Sequence, residues 1–164
     1  MARIVYSVGN DISTDVIYPG RFMATVLPTE TPQFAFADDK EFNNRLKARQ
    51  VLPGSVITGG QNFGCGSSRE QAVSCLKGHE LTIVARGFAR IFLQNAINLG
   101  LNVVTCPDLV ASIGDDLVVT DTAVVNRTTD RRFSVIPLPQ SRRDIIAAGG
   151  LIAFTRHRLT ARPA

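Results

Sequence analysis

Long apolar runs are missing from this chain of 164 residues. Its two longest uncharged stretches, Gln50–Ser68 and Ile91–Pro107, are interrupted by glycine, asparagine and glutamine, whereas a membrane-spanning helix needs about 20 predominantly apolar residues. No membrane span is expected. The N-terminus reaches Asp11 before an apolar stretch of signal-peptide length can form, so a cytoplasmic location is the default expectation. Cysteine is scarce: Cys65, Cys75 and Cys106 are odd in number and show no C-x-x-C spacing. That argues against a disulfide framework and against a zinc or iron-sulfur site built from this chain alone. Any metal would have to come from a partner. A Gly-Lys-Ser/Thr triplet and a G-x-S-x-G pentapeptide are both absent, which excludes a P-loop and a hydrolase nucleophile elbow.

What is present is globular material. The chain is 45% hydrophobic and 20% charged with a mean hydropathy of +0.09, far from the composition that keeps chains disordered. Its length suits one domain over residues 1–164. Charge is uneven: residues 127–164 hold eight arginines against Asp130 and Asp144, a net +6, which leaves residues 1–126 at −2. The basic end suits a solvated face or a surface for an acidic partner protein. Nucleic acid is the weaker reading, because the series of stacking aromatics used by single-strand binders is lacking.

Turn signals divide the chain. Ala2–Val8 is a β-branched run closed by Gly9-Asn10-Asp11, a first strand. Prolines 19, 28 and 32 mark residues 19–37 as an ordered but irregular loop, and Asp38–Gln50, with Phe42 and Leu46 four apart, is a surface helix. Strand Ser55–Thr58, helix Ser67–Gly78 with Gly78 as its stop, strand Leu81–Ala85, helix Phe88–Leu99 ended by Gly100, and strand Asn102–Thr105 then alternate. This βαβαβ order implies a parallel layer with helical cover. Asp116–Thr120, Ala123–Arg127 and Arg132–Ile136 read as an antiparallel meander, and Asp144–Ala148 and Leu151–Thr155 as helical pieces parted by Gly149-Gly150. The fold class is α/β with mixed parallel and antiparallel β layers.

Chemistry concentrates in Gly59-Gly60-Gln61-Asn62-Phe63-Gly64-Cys65-Gly66-Ser67-Ser68-Arg69-Glu70-Gln71-Ala72. Glycines between a strand and a helix let the backbone approach a ligand, and Ser67 with Glu70 three residues on spells a capping box. A helix mouth flanked by Ser68 and Arg69 suits an anion, a carboxylate above all. Taken alone, such serines can simply cap a helix. Cys65 as a nucleophile with His79 or His157 as base is disfavoured, since nothing in the sequence brings either histidine near it and both read as surface residues. A second cluster runs Asn10-Asp11-Ile12-Ser13-Thr14-Asp15-Val16-Ile17-Tyr18-Pro19-Gly20-Arg21-Phe22. On composition it reads as Asx and hydroxyl turns. A carboxylate held there is also able to orient an arginine or exchange a proton with a substrate.

Together with Phe88-Ala89-Arg90-Ile91-Phe92 and Ala147-Ala148-Gly149-Gly150-Leu151, these clusters resemble the small subunits of the aconitase superfamily over nearly the whole chain. The likeness is greatest to the short bacterial and archaeal form of the 3-isopropylmalate dehydratase (isopropylmalate isomerase) family. The resemblance implies a swivelling β/β/α domain that closes over a separate large subunit, which holds a 4Fe–4S cluster; this chain would bind none. It implies that Ser67 is the base acting at carbon and that Asp15 is the aspartate of the Thr-Asp element. Ser68, Arg69 and Gly66 would bind a substrate carboxylate. The implied enzyme is a hydro-lyase of leucine biosynthesis that isomerises a small dicarboxylate, 2- or 3-isopropylmalate, by dehydration and rehydration, as a heterodimer or heterotetramer with the large subunit.

In the family so resembled, substrate choice goes with the loop after Pro19-Gly20, here Arg21-Phe22-Met23-Ala24-Thr25. Homoaconitate-type members have an arginine at the place of Ala24, and isopropylmalate members more often have valine. An apolar loop disfavours a third, buried carboxylate, which favours a 2-alkylmalate, although Arg21 is positioned to reach inward and restore a charge contact. Another 2-alkylmalate or a homoaconitate-type substrate stays open, as does a non-catalytic anion-binding module. No nucleic-acid or membrane partner is expected.

Overall fold

In the computed structural model, which describes residues 1–160, the early β-branched runs form β1 (Ala2–Ser7), β2 (Val56–Gly59), β3 (Thr82–Ala85) and β4 (Asn102–Thr105), all parallel. The late runs form the antiparallel meander β5 (Asp116–Val119), β6 (Ala123–Asn126) and β7 (Arg131–Ser134). The strands join in the order β4-β3-β2-β1-β5-β6-β7. β1 is shared, since its start pairs antiparallel with β5 and its end pairs parallel with β2, with a register shift between Ile4 and Tyr6. Such a bulge bends the strand and lets the sheet turn over itself. The two halves therefore face each other: Ile4, Val56 and Val84 pack with Leu117, Val124 and Phe133 around buried Cys106 and Leu109. Their far edges meet where the Ile136 N–H donates to the Thr105 carbonyl at 2.9 Å.

Alternation along the strands sends Ile57, Ile83, Ala85 and Val103 to the opposite face. That face is covered by α1 (Thr14–Ile17), α2 (Lys40–Lys47), α3 (Glu70–Gly78) and α4 (Arg90–Leu99). Their apolar stripes contribute Ile17, Phe42, Leu46, Val73, Leu76, Phe92 and Ala96 to the core. The layers are thus β/β/α. α5 (Gln140–Ala147) and α6 (Leu151–Thr160) pack on α4, where the Lys77 ammonium donates to the carbonyls of Leu99 and, at 2.6 Å, Gly149. Among the described residues no helix is long and apolar enough to cross a membrane. Arg162, part of the basic end, lies outside the described residues.

Three local readings are corrected. The capping box does not form: α3 starts at Glu70 with Arg69 as an N-cap that makes no side-chain cap bond. Gly66, at φ +87°, turns the chain before it, and the Ser67 carbonyl is taken by the Thr14 hydroxyl at 2.9 Å and the Arg69 N–H at 2.8 Å. Gly78 is no left-handed stop, a place held by Glu80 at φ 53°; it is small because the Pro32 ring lies against it. His79 is half-buried rather than on the surface, its Nε2 lying 2.9 Å from the Pro32 carbonyl.

Gly100 closes α4 at φ +74°, where a Cβ would lie 2.5 to 2.8 Å from the Gly149-Gly150 backbone, whereas Gly54 at φ +78° has open space around it. Gly54→Ala should destabilise by about 1–2 kcal/mol of left-handed strain. Gly100→Ala should cost at least about 1 kcal/mol more, because backbone has to move. Urea unfolding of both variants measures the difference, and equal losses would mean that the α5–α6 junction yields freely.

Candidate functional site

The two sequence clusters meet at the C-terminal ends of β1 and β2, where parallel strands release neighbouring loops on the same edge of the sheet. Main-chain bonds then zip the loops together. Gly60 N–H donates to Gly9 O (3.0 Å), Asp11 N–H to Gln61 O (2.8 Å), Gly64 N–H to Ile12 O (2.7 Å) and Thr14 N–H to Cys65 O (2.8 Å). Side chains add to this: the Asn10 Oδ1 accepts from Gln61 N–H at 2.8 Å, and the Asn62 amide donates to Asp11 at 2.9 Å. Two of the glycines serve this internal approach rather than a ligand, since Asn10 lies against Gly60 and the Phe92 ring against Gly64.

On this base stands the one-turn α1, capped by Ser13, whose Oγ accepts from Val16 N–H at 3.3 Å. It presents Asp15. The Asp15 Oδ1 accepts from Gly20 N–H at 2.8 Å and pairs with the Arg69 Nη1. The same Nη1 donates to the Tyr18 carbonyl at 3.2 Å. Arg69's side chain is 18% exposed against 62% for Asp15, so the arginine is the fixed member of the pair. The guanidinium bond first, and the Gly20 N–H second, hold the Asp15 carboxyl below the usual aspartate range. A Cβ at Gly20 would sit 3.2 Å from both Arg69 Nη2 and Asp15 Oδ1, so this glycine leaves the pair its room.

Arg69 Nε and Nη2 carry no hydrogen bond among the described residues, and neither do the hydroxyls of the exposed Ser67 and Ser68 that precede it in the chain. One nitrogen of the guanidinium is anchored and the other two are free for a bidentate contact with a carboxylate. The arrangement is an open face with a half-anchored guanidinium and two unengaged hydroxyls, a chemistry suited to an anion. Cavities of about 520 Å³, against Val104, Ile136 and Arg143, and about 250 Å³, beside Asn10, Gly60 and Arg86, lie elsewhere.

The loop that follows departs from expectation at Arg21. Its guanidinium does not reach inward but pairs with Asp38 at 2.5 Å and lies 4.6 Å over the Phe22 ring. Phe22 stacks on Phe34 at 4.1 Å and packs against the core, whereas Met23 (37% exposed) and Ala24 face outward. Sequence reasoning gave no separate role to Thr14, Tyr18 and Gly20. Thr14 stands in the Thr-Asp pair and Gly20 follows a proline, yet their contacts to Ser67 and Arg69 cross about fifty residues and leave no local signal.

Residues 12–108 match the aconitase C-terminal domain family. The chain is 38% identical over 162 residues to the 3-isopropylmalate dehydratase small subunit of Methanosarcina mazei, covering 96% of this chain and 97% of that one. It is 40% identical over 156 residues to the protein of that name from Caldicellulosiruptor saccharolyticus, covering 92% and 87%. It is 38% identical over 161 residues to the isopropylmalate/citramalate isomerase small subunit of Methanocaldococcus jannaschii, covering 94% and 93%. The crystal structure of a 3-isopropylmalate dehydratase from Methanocaldococcus jannaschii superposes with a TM-score of 0.86 at 33% identity, covering 96% of this chain and 94% of that one.

The ion pair makes a titration prediction. Because the Asp15 carboxyl is held low, the pair is in place above the usual aspartate range and is lost as pH falls through the folded value. In Arg69→Gln the carboxyl should rise toward its usual range, part of the way only because the Gly20 N–H remains. Carboxyl-carbon NMR titration reads this, and an Asp15 that titrates identically in both proteins would show that the pair does not form in solution.

Proposed function

The chain belongs to the aconitase C-terminal domain family, alongside relatives named 3-isopropylmalate dehydratase small subunit, and on that premise we propose that it is the small subunit of an iron-sulfur hydro-lyase. In this reading the complex interconverts 2- and 3-isopropylmalate by removing and restoring water, in the cytoplasm, with this chain as a single swivelling domain. The observation that carries it is the half-anchored Arg69 at the end of a Ser67-Ser68-Arg69 run whose two hydroxyls are exposed and unengaged.

The chain's own residues do not fit a cluster. Cys75 and Cys106 are buried on opposite faces of the sheet, and burial raises both thiols, Cys106 to about 11, whereas cluster ligands are thiolates. Cys65 is half-buried in the loop after β2, and no group of three or more His, Cys, Asp or Glu suited to a metal gathers among the described residues. In this reading the large subunit holds the 4Fe–4S cluster.

This chain holds the substrate and moves the proton. Arg69 Nε and Nη2 clamp one carboxylate, with the Ser68 hydroxyl and the Gly66 backbone closing round it. Ser67 Oγ takes the proton from carbon and returns it at the neighbouring carbon; a fixed guanidinium nearby favours its anionic form. Asp15 acts through Arg69, whose orientation it sets. With Arg21 spent on Asp38, the loop offers exposed Met23 and Ala24 and no further cation. That selects a dicarboxylate with an alkyl group over a tricarboxylate. The relative named for both isopropylmalate and citramalate makes 2-methylmalate the second substrate to try.

The test is turnover after anaerobic co-expression with the large subunit, offering isopropylmalate, 2-methylmalate, citrate and homoaconitate. Isopropylmalate should be preferred, and Ser67→Ala should lower kcat about 10²- to 10⁴-fold with little change in KM. Retained turnover in Ser67→Ala, or none in a complex with its cluster intact, would refute the reading. Loss through weakened binding alone, equal in Ser67→Ala and Ser68→Ala, would indicate an anion-binding module instead.

A further inference from the structure

The loop that carries Met23 and Ala24 is held from beneath by one phenol. Tyr18 is fully buried, and its hydroxyl lies 3.1 Å from the Phe22 carbonyl and 3.2 Å from the Thr25 carbonyl. Those acceptors bracket Met23 and Ala24. The Tyr18 ring stands edge-on to Phe22 and Phe34 at 6.5 and 6.1 Å, so a shift of the phenol would disturb the packing under the loop as well as its backbone. The backbone of the same residue accepts from Arg69 Nη1 at 3.2 Å. One residue thus touches the carboxylate clamp with its carbonyl and the loop with its hydroxyl.

The backbone of the loop closes on itself through Met23 N–H to Gly20 O at 3.1 Å and Thr25 N–H to Phe22 O at 2.9 Å, and its other side-chain hydrogen bonds are weaker than those of Tyr18. Arg21 and Asp38 are both more than half exposed, at 54% and 63%, and exposed pairs contribute little. The Gln71 amide reaches the Met23 carbonyl only at 3.5 Å. Burial pushes the Tyr18 phenol above its ordinary value, so it remains a protonated donor.

Resting on the function proposed above, we infer that Tyr18 is a positioning residue for substrate selectivity: it sets where Met23 and Ala24 stand relative to Arg69, and so the size of the alkyl group accepted beside the clamped carboxylate.

Tyr6, the only other tyrosine, supplies the control. It is half-buried, and its hydroxyl donates to Asp39 at 2.7 Å rather than to a carbonyl of residues 21–26. In the reconstituted complex, Tyr18→Phe should lower the kcat/KM ratio of 3-isopropylmalate over 2-methylmalate about three- to tenfold. Amide exchange of residues 21–26 should quicken in the same variant. Tyr6→Phe should change neither, and a general loss of stability would reduce both substrates alike. An unchanged ratio in Tyr18→Phe with an active wild type, or equal movement in the two variants, overturns the inference. A wild-type complex with its cluster intact that turns over neither substrate overturns the functional proposal and this inference with it; quickened exchange in Tyr18→Phe alone would then show that the fault lies with the function and not with the loop contacts.

Discussion

The pairing of β1 with β2, continued as main-chain hydrogen bonds between the loops that follow them, is the constraint on which the rest of the site depends. These bonds join neutral backbone groups and are insensitive to salt. They give α1 a fixed floor, which it needs, since a helix of one turn has no stability of its own. Thr14 converts that floor into a position for Ser67, because its buried hydroxyl holds the Ser67 carbonyl from the other loop. Without the zipper, Asp15 and Arg69 would be two charges 54 positions apart in sequence with no reason to meet.

The ion pair at the centre serves geometry more than stability. Asp15 is largely exposed, and an exposed pair adds little to folding. What it changes is the freedom of Arg69: with Nη1 shared between a carboxylate and the Tyr18 carbonyl, the rotamer is settled before any ligand arrives. Binding a carboxylate through the remaining nitrogens then avoids much of the ordering entropy that a free arginine would lose. The Gly20 N–H stabilises the carboxylate form of Asp15 at the same time, so the pair persists across neutral pH.

Much of this was legible in the residues because it is local. Apolar runs bounded by turn residues located all seven strands among the described residues, and Gly100 marked the end of α4, its left-handed C-cap residue. Ser67, Ser68 and Arg69 at the mouth of α3 stood out from their chemistry alone as candidates for holding an anion. What stayed hidden was long-range competition for the same groups. Ser67 and Glu70 have capping-box spacing, but Thr14 takes the Ser67 carbonyl and the helix starts later. Arg21 has a free choice of partners in the sequence, and Asp38, brought near by the folding of residues 19–37, wins it. Phe22 reads as a loop residue, yet Phe34 offers it a stacking surface. In each case the deciding partner lies beyond the reach of the local pattern, and periodicity carries no record of it.

The openness of the face that carries Ser67 and Ser68 has a physical consequence for how such a chain works. In water, the contact between a guanidinium and a carboxylate is weakened by the high dielectric, and a serine hydroxyl is far too weak an acid to lose its proton. The same groups become effective when water is excluded, because the attraction grows as the dielectric falls and the fixed cation then has an alkoxide to stabilise without competition from solvent. Ser67 and Ser68 stand on an exposed surface, so the dry environment has to be supplied by whatever covers that surface. In the function proposed above, a large subunit closing over this domain would supply that cover. Under the function proposed above, the separate chain would then be inactive on electrostatic grounds alone.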